Sequence, residues 1–231
     1  DLYTLRKLAS GDLIAAHCRD VQVRSASGWT KLPEPPGCVK QVAGLGPDDF
    51  WAIGSSDLVD GFVWRFQKGR WARVRKGDDK GLYDVAVASD GTVWIGGDGV
   101  LLRAKGGPLQ VVARHDHDEY RALAVSGPNE VWIAGDSNEI GSAGMIARFD
   151  GKKLERFERV AANFLDAISL GTNGEIFAAG LGGVAARWDG SKFVPIATGT
   201  DQSLQRLLFH PSGVLLAAGR CGAILRRDPS P

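Results

Sequence analysis

One ten-residue frame, clearest in LAVSGPNEVWIAGD from Leu123 to Asp136, can be laid along this chain six times. It starts at Leu5, Val42, Val85, Leu123, Ile168 and Leu207. Each copy opens on an apolar run and crosses a turn of Gly, Pro, Asn, Asp or Ser. Each then reaches a large apolar residue: Ile14, Trp51, Trp94, Trp132, Phe177 or Leu216. A small pair and usually Gly follow, as in WAIG, WIAG, FAAG and LAAG. Short apolar runs separated by turn formers read as antiparallel strands. Successive starts lie 37 to 45 residues apart, the period of a four-stranded propeller blade.

The repeat therefore predicts an all-β chain, a six-bladed β-propeller of four-stranded antiparallel blades forming one domain over residues 1–231. The blades are expected at 5–33, 42–75, 85–114, 123–159, 168–198 and 207–228. The 31 glycines fit a fold rich in turns that need positive φ. Trp51, Trp94 and Trp132 fall on second strands, Trp64 and Trp188 on third strands, and Trp29 and Trp71 open fourth strands. Recurrence at equivalent places marks them as packing between blades. The last copy ends at Ala223 to Arg227 without a fourth strand. It predicts an incomplete blade whose open edge invites strand pairing with another chain, near the junction of the sixth and first blades.

Composition removes several classes of function. The formal net charge of +1 gives no electrostatic case for nucleic acid, and no apolar stretch is long enough to cross a bilayer. Cys18, Cys38 and Cys221 leave at least one thiol unpaired, which favours a cytoplasmic location. A processed N-terminus keeps a periplasmic or secreted location open. The chain has no G-x-S-x-G, no H-E-x-x-H and no glycine-rich turn leading into a helix. No catalytic group, cofactor or metal is expected.

The segments RFDGKKL (Arg148–Leu154) and RWDGSKF (Arg187–Phe193) resemble the repeats of bacterial propellers related to the photosystem II assembly factor YCF48, and Asp-box-like propeller repeats are similar. The resemblance implies the propeller fold, and assembly factors, binding modules or lectins more often than enzymes. Ser25–Gly28 and Lys105–Gly107 occupy the same turn without the motif, so an intact Asp-box occurs at most twice.

What recurs in every blade is scaffold, and what breaks the pattern is where function can reside. An arginine ends each third strand: Arg24, Arg65, Arg103, Arg148, Arg187 and Arg226. Acids sit near five of the first turns (Asp12, Asp48 and Asp49, Asp90, Glu130, Glu175), which predicts a ring of ion pairs within blades. The opposite loop end is irregular and leans acidic. The residue two before each frame should ring one opening there: Tyr3, Lys40, Tyr83, Arg121, Asp166 and Gln205, the last beside Arg206. Around it come Asp57, Asp60, Asp98, Asp136, Asn138 and Glu139 from second-to-third strand loops, and His115, Asp116, His117, Asp118 and Glu119 from the loop between blades three and four. His-x-His invites a metal reading, but no third ligand is placed by sequence, and a solvated charged loop is the simpler account.

These residues predict a non-enzymatic propeller that binds a protein partner, one with a basic surface, through the acidic-leaning loop end, as an assembly factor or an immunity protein would. A glycan-binding lectin is the alternative, and a hydrolase or lyase at the channel mouth a more distant one.

Overall fold

The computed structural model describes residues 3–55, 60–78, 80–141, 143–171 and 174–228. The chain falls into two compact units, Asp1–Arg114 and His115–Pro231. The first unit holds β1 (Thr4–Lys7), β2 (Leu13–His17), β3 (Asp20–Ser25) and β4 (Gly28–Lys31), hydrogen-bonded in that order. It continues with β5 (Cys38–Gly46), β6 (Asp49–Ser55), β7 (Phe62–Gln67) and β8 (Arg70–Arg75), again paired in order, then β9 (Leu82–Val87), β10 (Val93–Ala104) and the start of β11 (Gln110–Gly127).

The second unit holds the rest of β11 with β12 (Glu130–Ser137), β13 (Ala143–Phe149) and β14 (Leu154–Ala161). A four-stranded sheet follows, β15 (Leu165–Leu170), β16 (Ile176–Gly180), β17 (Ala185–Trp188) and β18 (Phe193–Pro195), and then a three-stranded one, β19 (Leu204–Phe209), β20 (Leu215–Gly219) and β21 (Ile224–Arg227). No helix among the described residues is long and apolar enough to cross a membrane.

All six frames become hairpins with a common register. The residue after each frame start faces the large apolar residue: Arg6 pairs with Ile14, Ala43 with Trp51, Ala86 with Trp94, Ala124 with Trp132, Ser169 with Phe177 and Leu208 with Leu216. The apolar faces pack between neighbouring sheets of one unit. Ile14, Val23, Val42, Phe50 and Trp64 form one cluster, Trp51, Ile53, Val85 and Ile95 a second, and Trp132, Ile146, Ile168 and Ile176 a third. Trp64 and Trp94 are wholly buried, whereas Trp29, expected in the core, is 49% exposed.

The expectation of six separate four-stranded blades is corrected. Among the described residues, four sheets hold four strands or more and a fifth holds three. The expected loop His115–Tyr120 is strand, because residues 110 to 126 contain neither Gly nor Pro to turn the chain. β11 therefore runs unbroken from the end of the third repeat into the fourth. The link before β5, with Pro33, Pro35, Pro36 and Gly37, does turn.

The predicted ring of arginine–acid pairs is also corrected. Arg65 donates to both oxygens of Asp49 (2.8 and 2.7 Å), and Arg148 to Glu130 (2.5 Å). Each guanidinium also lies over a tryptophan of the strand beside it, 5.4 Å above Trp51 and 5.4 Å above Trp132. Elsewhere the acids go to other partners: Asp90 pairs with Lys105 at 2.7 Å, Asp12 accepts from Ser10, and Arg226 turns to Asp228. The motif thus supplies stacking scaffold in some repeats rather than a closed ring.

The glycine that ends WAIG, WIAG, FAAG and LAAG is fixed by contact, not by flexibility. In five repeats the first strand carries a β-bulge, and two of its residues face one on the second strand. There a carbonyl of the incoming chain comes so close that a Cβ would sit 2.0 Å from Cys38 O at Gly54 and 2.3 Å from Gly81 O at Gly97. The corresponding distances are 1.8 Å at Gly135, 2.0 Å at Gly180 and 2.1 Å at Gly219. In the first repeat His17 occupies this place, and β1 pairs with β2 without a shift. Gly97→Ala is expected to cost roughly 1–3 kcal/mol through this clash. Gly127→Ala, where a Cβ meets nothing within 4 Å, should stay within about 0.5 kcal/mol of the parent. Urea midpoints of the two variants compare the costs directly.

Candidate functional site

The bulges decide where the side chains of the sequence-predicted ring go. The residue left over in each shifted register is Lys40 between Val39 and Gln41, Tyr83 in β9, Arg121 between Tyr120 and Ala122, Asp166 between Leu165 and Ala167, and Gln205 between Leu204 and Arg206. These are the positions two before each frame. An extra residue escapes the inward–outward alternation of the strand, so its identity is released from core packing.

In the first unit, five of the sequence-predicted residues line one cavity of about 530 Å³: Tyr3, Lys40, Asp60, Tyr83 and Asp98. Gln41, Gly81 and Leu82 complete it. The Asp98 carboxylate, next after Gly97 in β10, accepts the Gly81 N–H (2.6 Å) and the Tyr83 hydroxyl. Gly81 is needed at that approach, since a Cβ there would lie 2.9 Å from Asp98 Oδ2 and 3.2 Å from the Tyr83 ring. Lys40 Nζ donates to Asp60 at 2.6 Å, with both side chains more than two-fifths exposed. Such a pair sets charge and direction more than stability. Tyr3 stacks on His17 with ring centroids 5.5 Å apart. The buried Oε1 of Gln41 has no donor among the described residues.

Deeper in the same unit, Arg6 donates to the buried Asp84 at 2.6 Å. Sequence reasoning singled out neither Gln41 nor Asp84. Gln41 directly follows the bulge residue Lys40, which is the signal that could have found it. Asp57 lies outside the described residues. Cys18 and Cys38 are joined by a disulfide between the turn after β2 and the start of β5, and Cys221 is a free, exposed thiol.

In the second unit Arg121 is surrounded by acids. It donates to Asp136 (2.7 Å) and Glu119 (2.6 Å), stands 3.6 Å from Asp166, and lies 4.6 Å over the Phe164 ring. Burial works to lower its pKa, but the Asp136 hydrogen bond and the three carboxylate charges outweigh it, and the guanidinium is held firmly charged. Burial pushes the Asp166 carboxyl above its ordinary value. Asp136 adds to the shift, while Arg121, Arg206 and Arg220 oppose it. Arg206 itself donates to the Gln205 carbonyl at 2.7 Å.

A second cluster centres on Asp118, whose side chain is fully buried. It accepts from Arg156 at 2.9 Å and lies 3.3 Å from His115 Nδ1. Burial, with the Asp118 charge, drives the neighbouring Tyr120 phenol upward. Glu139, with Asn138 in the short turn Asn138–Ile140, reaches His115 (3.5 Å) and Arg156 (3.6 Å). Asp116 and His117 are exposed on β11. Thus Asp118, His115 and Glu139 pair with one another and with Arg156 rather than lining the cavity of the first unit.

No protein-family model and no curated protein sequence matches the chain. Solved structures do. The WD40 propeller domain of Doa1 is similar at 14% identity and a TM-score of 0.70, over 93% of this chain and 73% of that one. The fold is a β-propeller. YCF48 bound to D1 peptide is similar at 16% identity and a TM-score of 0.69, over 95% of this chain and 76% of that one. The extracellular domain of a one-component system from B. thetaiotaomicron matches at 15% identity and a TM-score of 0.67. There the match covers 98% of this chain but only 32% of the other. At such identities the likeness carries the fold alone.

The raised Asp166 pKa has a stability consequence. The folded chain takes up this proton more readily than the unfolded chain, so its contribution to stability rises as pH falls through the raised value and levels off below about 3.9, the ordinary aspartate pKa. Asp166→Asn should remove that rise. Urea midpoints of both proteins between neutral pH and about pH 4 give the difference.

Proposed function

We propose that this propeller binds another protein through the side chains its β-bulges project, and that it performs no catalysis of its own. The observation that carries the reading is the convergence of Tyr3, Lys40, Asp60, Tyr83 and Asp98 on one cavity of the first unit. They come from separate strands and loops that share no sequence proximity. Packing does not require two tyrosines and three charged groups at one mouth, whereas a recognition site uses this mixture of aromatic surface and directional polar groups.

The partner presents a basic surface. Asp60 and Asp98 outnumber Lys40 in the cavity. Complementary potential steers such a partner and suppresses wrong ones. An assembly factor or a neutralising immunity-type protein is the role this supports. That YCF48 has been captured with a peptide is consistent with a propeller of this kind taking an extended partner segment. A secondary contact is proposed at β21, the outer strand of the three-stranded sheet, where Ile224 is 75% exposed. The Cys18–Cys38 bond supports a periplasmic or secreted location over a cytoplasmic one, because structural disulfides persist in oxidising compartments.

The test is affinity capture with the parent protein and with a Tyr83→Ala, Asp60→Lys double variant whose melting temperature matches the parent. One stoichiometric protein held by the parent and lost from the variant is the expected outcome. Equal retention by both, or no partner, rejects the reading.

A further inference from the structure

We infer that the cavity of the first unit receives one arginine side chain of the partner, read by Gln41, Asp98 and Asp60. The inference rests on the protein-binding reading and names the chemical group that enters. Two observations point to it. The first is the charge inside the cavity: Lys40 is already matched by Asp60 at 2.6 Å, which leaves the Asp98 carboxylate without a cationic partner among the described residues. Asp98 takes only the Gly81 N–H and the Tyr83 hydroxyl, one on each oxygen. Each of those oxygens keeps a second lone pair for a further donor.

The second observation is the Gln41 side-chain carbonyl, a buried acceptor with no donor among the described residues, on a residue that lines the same cavity. A buried acceptor left unmade is costly. The oxygen is closed to solvent in the free protein, so a ligand N–H recovers that cost in the complex once the Gln41 side chain turns its carbonyl toward the cavity it lines. The acceptors therefore lie apart: one amide oxygen and two carboxylates, from three different stretches of chain.

A guanidinium suits this arrangement better than an ammonium. It presents five N–H donors in a fixed plane and so spans separated acceptors at once, while an ammonium concentrates three donors on one point. It is also less strongly hydrated, and its flat face stacks on aromatic rings such as those of Tyr3 and Tyr83. A carboxylate or phosphate ligand would meet Asp98 and Asp60 as like charges.

The experiment is an NMR titration of the full chain with three acetylated, amidated tripeptides: Gly-Arg-Gly, Gly-Lys-Gly and Gly-citrulline-Gly. Citrulline keeps the shape of arginine without its charge. The arginine peptide should bind at least about tenfold more tightly than either of the others, with shifts at Tyr83 and Gln41, as the loss of a charge-assisted hydrogen bond implies. Gln41→Leu and Asp98→Asn should each weaken it by about tenfold. Asp98→Asn keeps the side-chain shape, so it remains informative if Gln41→Leu does not fold. Equal binding of the arginine and lysine peptides, undiminished binding of citrulline, or no binding to the folded parent overturns the arginine assignment. If that happens while the Tyr83→Ala, Asp60→Lys variant still loses its captured partner, the protein-binding reading stands and only the assignment fails. If capture is indifferent to those substitutions, the reading itself fails.

Discussion

The contact on which the rest depends is a backbone carbonyl pressed against a glycine. In five repeats the chain entering a hairpin runs so close to the end of the second strand that the approach leaves no volume for a side chain, with 1.8 to 2.3 Å between the carbonyl oxygen and the place a Cβ would take. That approach coexists with the shifted register, and the shifted register presents Lys40, Tyr83, Arg121, Asp166 and Gln205 outside the strand alternation. Scaffold and site are thus two sides of one short piece of geometry. The large apolar residue three positions before the glycine pairs with the residue after the frame start, and the bulge residue stands across from the glycine end of the second strand.

The two units use the same device to different ends. In the first, the bulge residues Lys40 and Tyr83 leave a cavity with carboxylates at its edge. In the second, Arg121 is locked by Asp136, Glu119 and Asp166 over the Phe164 ring. The equivalence is close: Asp98 and Asp136 each directly follow the close-contact glycine of their repeat, Gly97 and Gly135, and each accepts from the bulge residue of its own repeat. A tyrosine at that place leaves room beside the carboxylate, while an arginine fills it. One residue type decides whether the acid meets a cation within its own repeat.

Much of this was legible in the chain. The hairpins follow from apolar runs broken by Pro, Asn, Asp and Gly, and the common register follows from the constant spacing between the frame start and its Trp, Phe, Leu or Ile. The positions two before each frame could be chosen as a set because the repeat fixes them. That they are bulge residues could not be read, since a bulge is a matter of pairing between strands rather than of composition. The number of separate sheets was misjudged at β11, where a charged stretch looks like a loop but contains nothing that bends an extended chain. The arginine–acid ring was overdrawn for a similar reason. Spacing puts the partners at one end of a repeat, but Ser10, Lys105 and Asp228 compete locally for the same groups. Pairing of Cys18 with Cys38 depends on the turn after β2 meeting the start of β5, a tertiary fact invisible in three cysteines.

The bulge separates two demands that usually conflict. Because the steric lock resides in the glycine and the opposing carbonyl, the protruding residue can be acidic, basic, aromatic or amide without disturbing the hairpin beneath it, and all four kinds occur. Each of the five bulged repeats therefore behaves as an interchangeable socket. Its mounting is standardised and its fitting is free, so the chemistry at the mouth can change one fitting at a time.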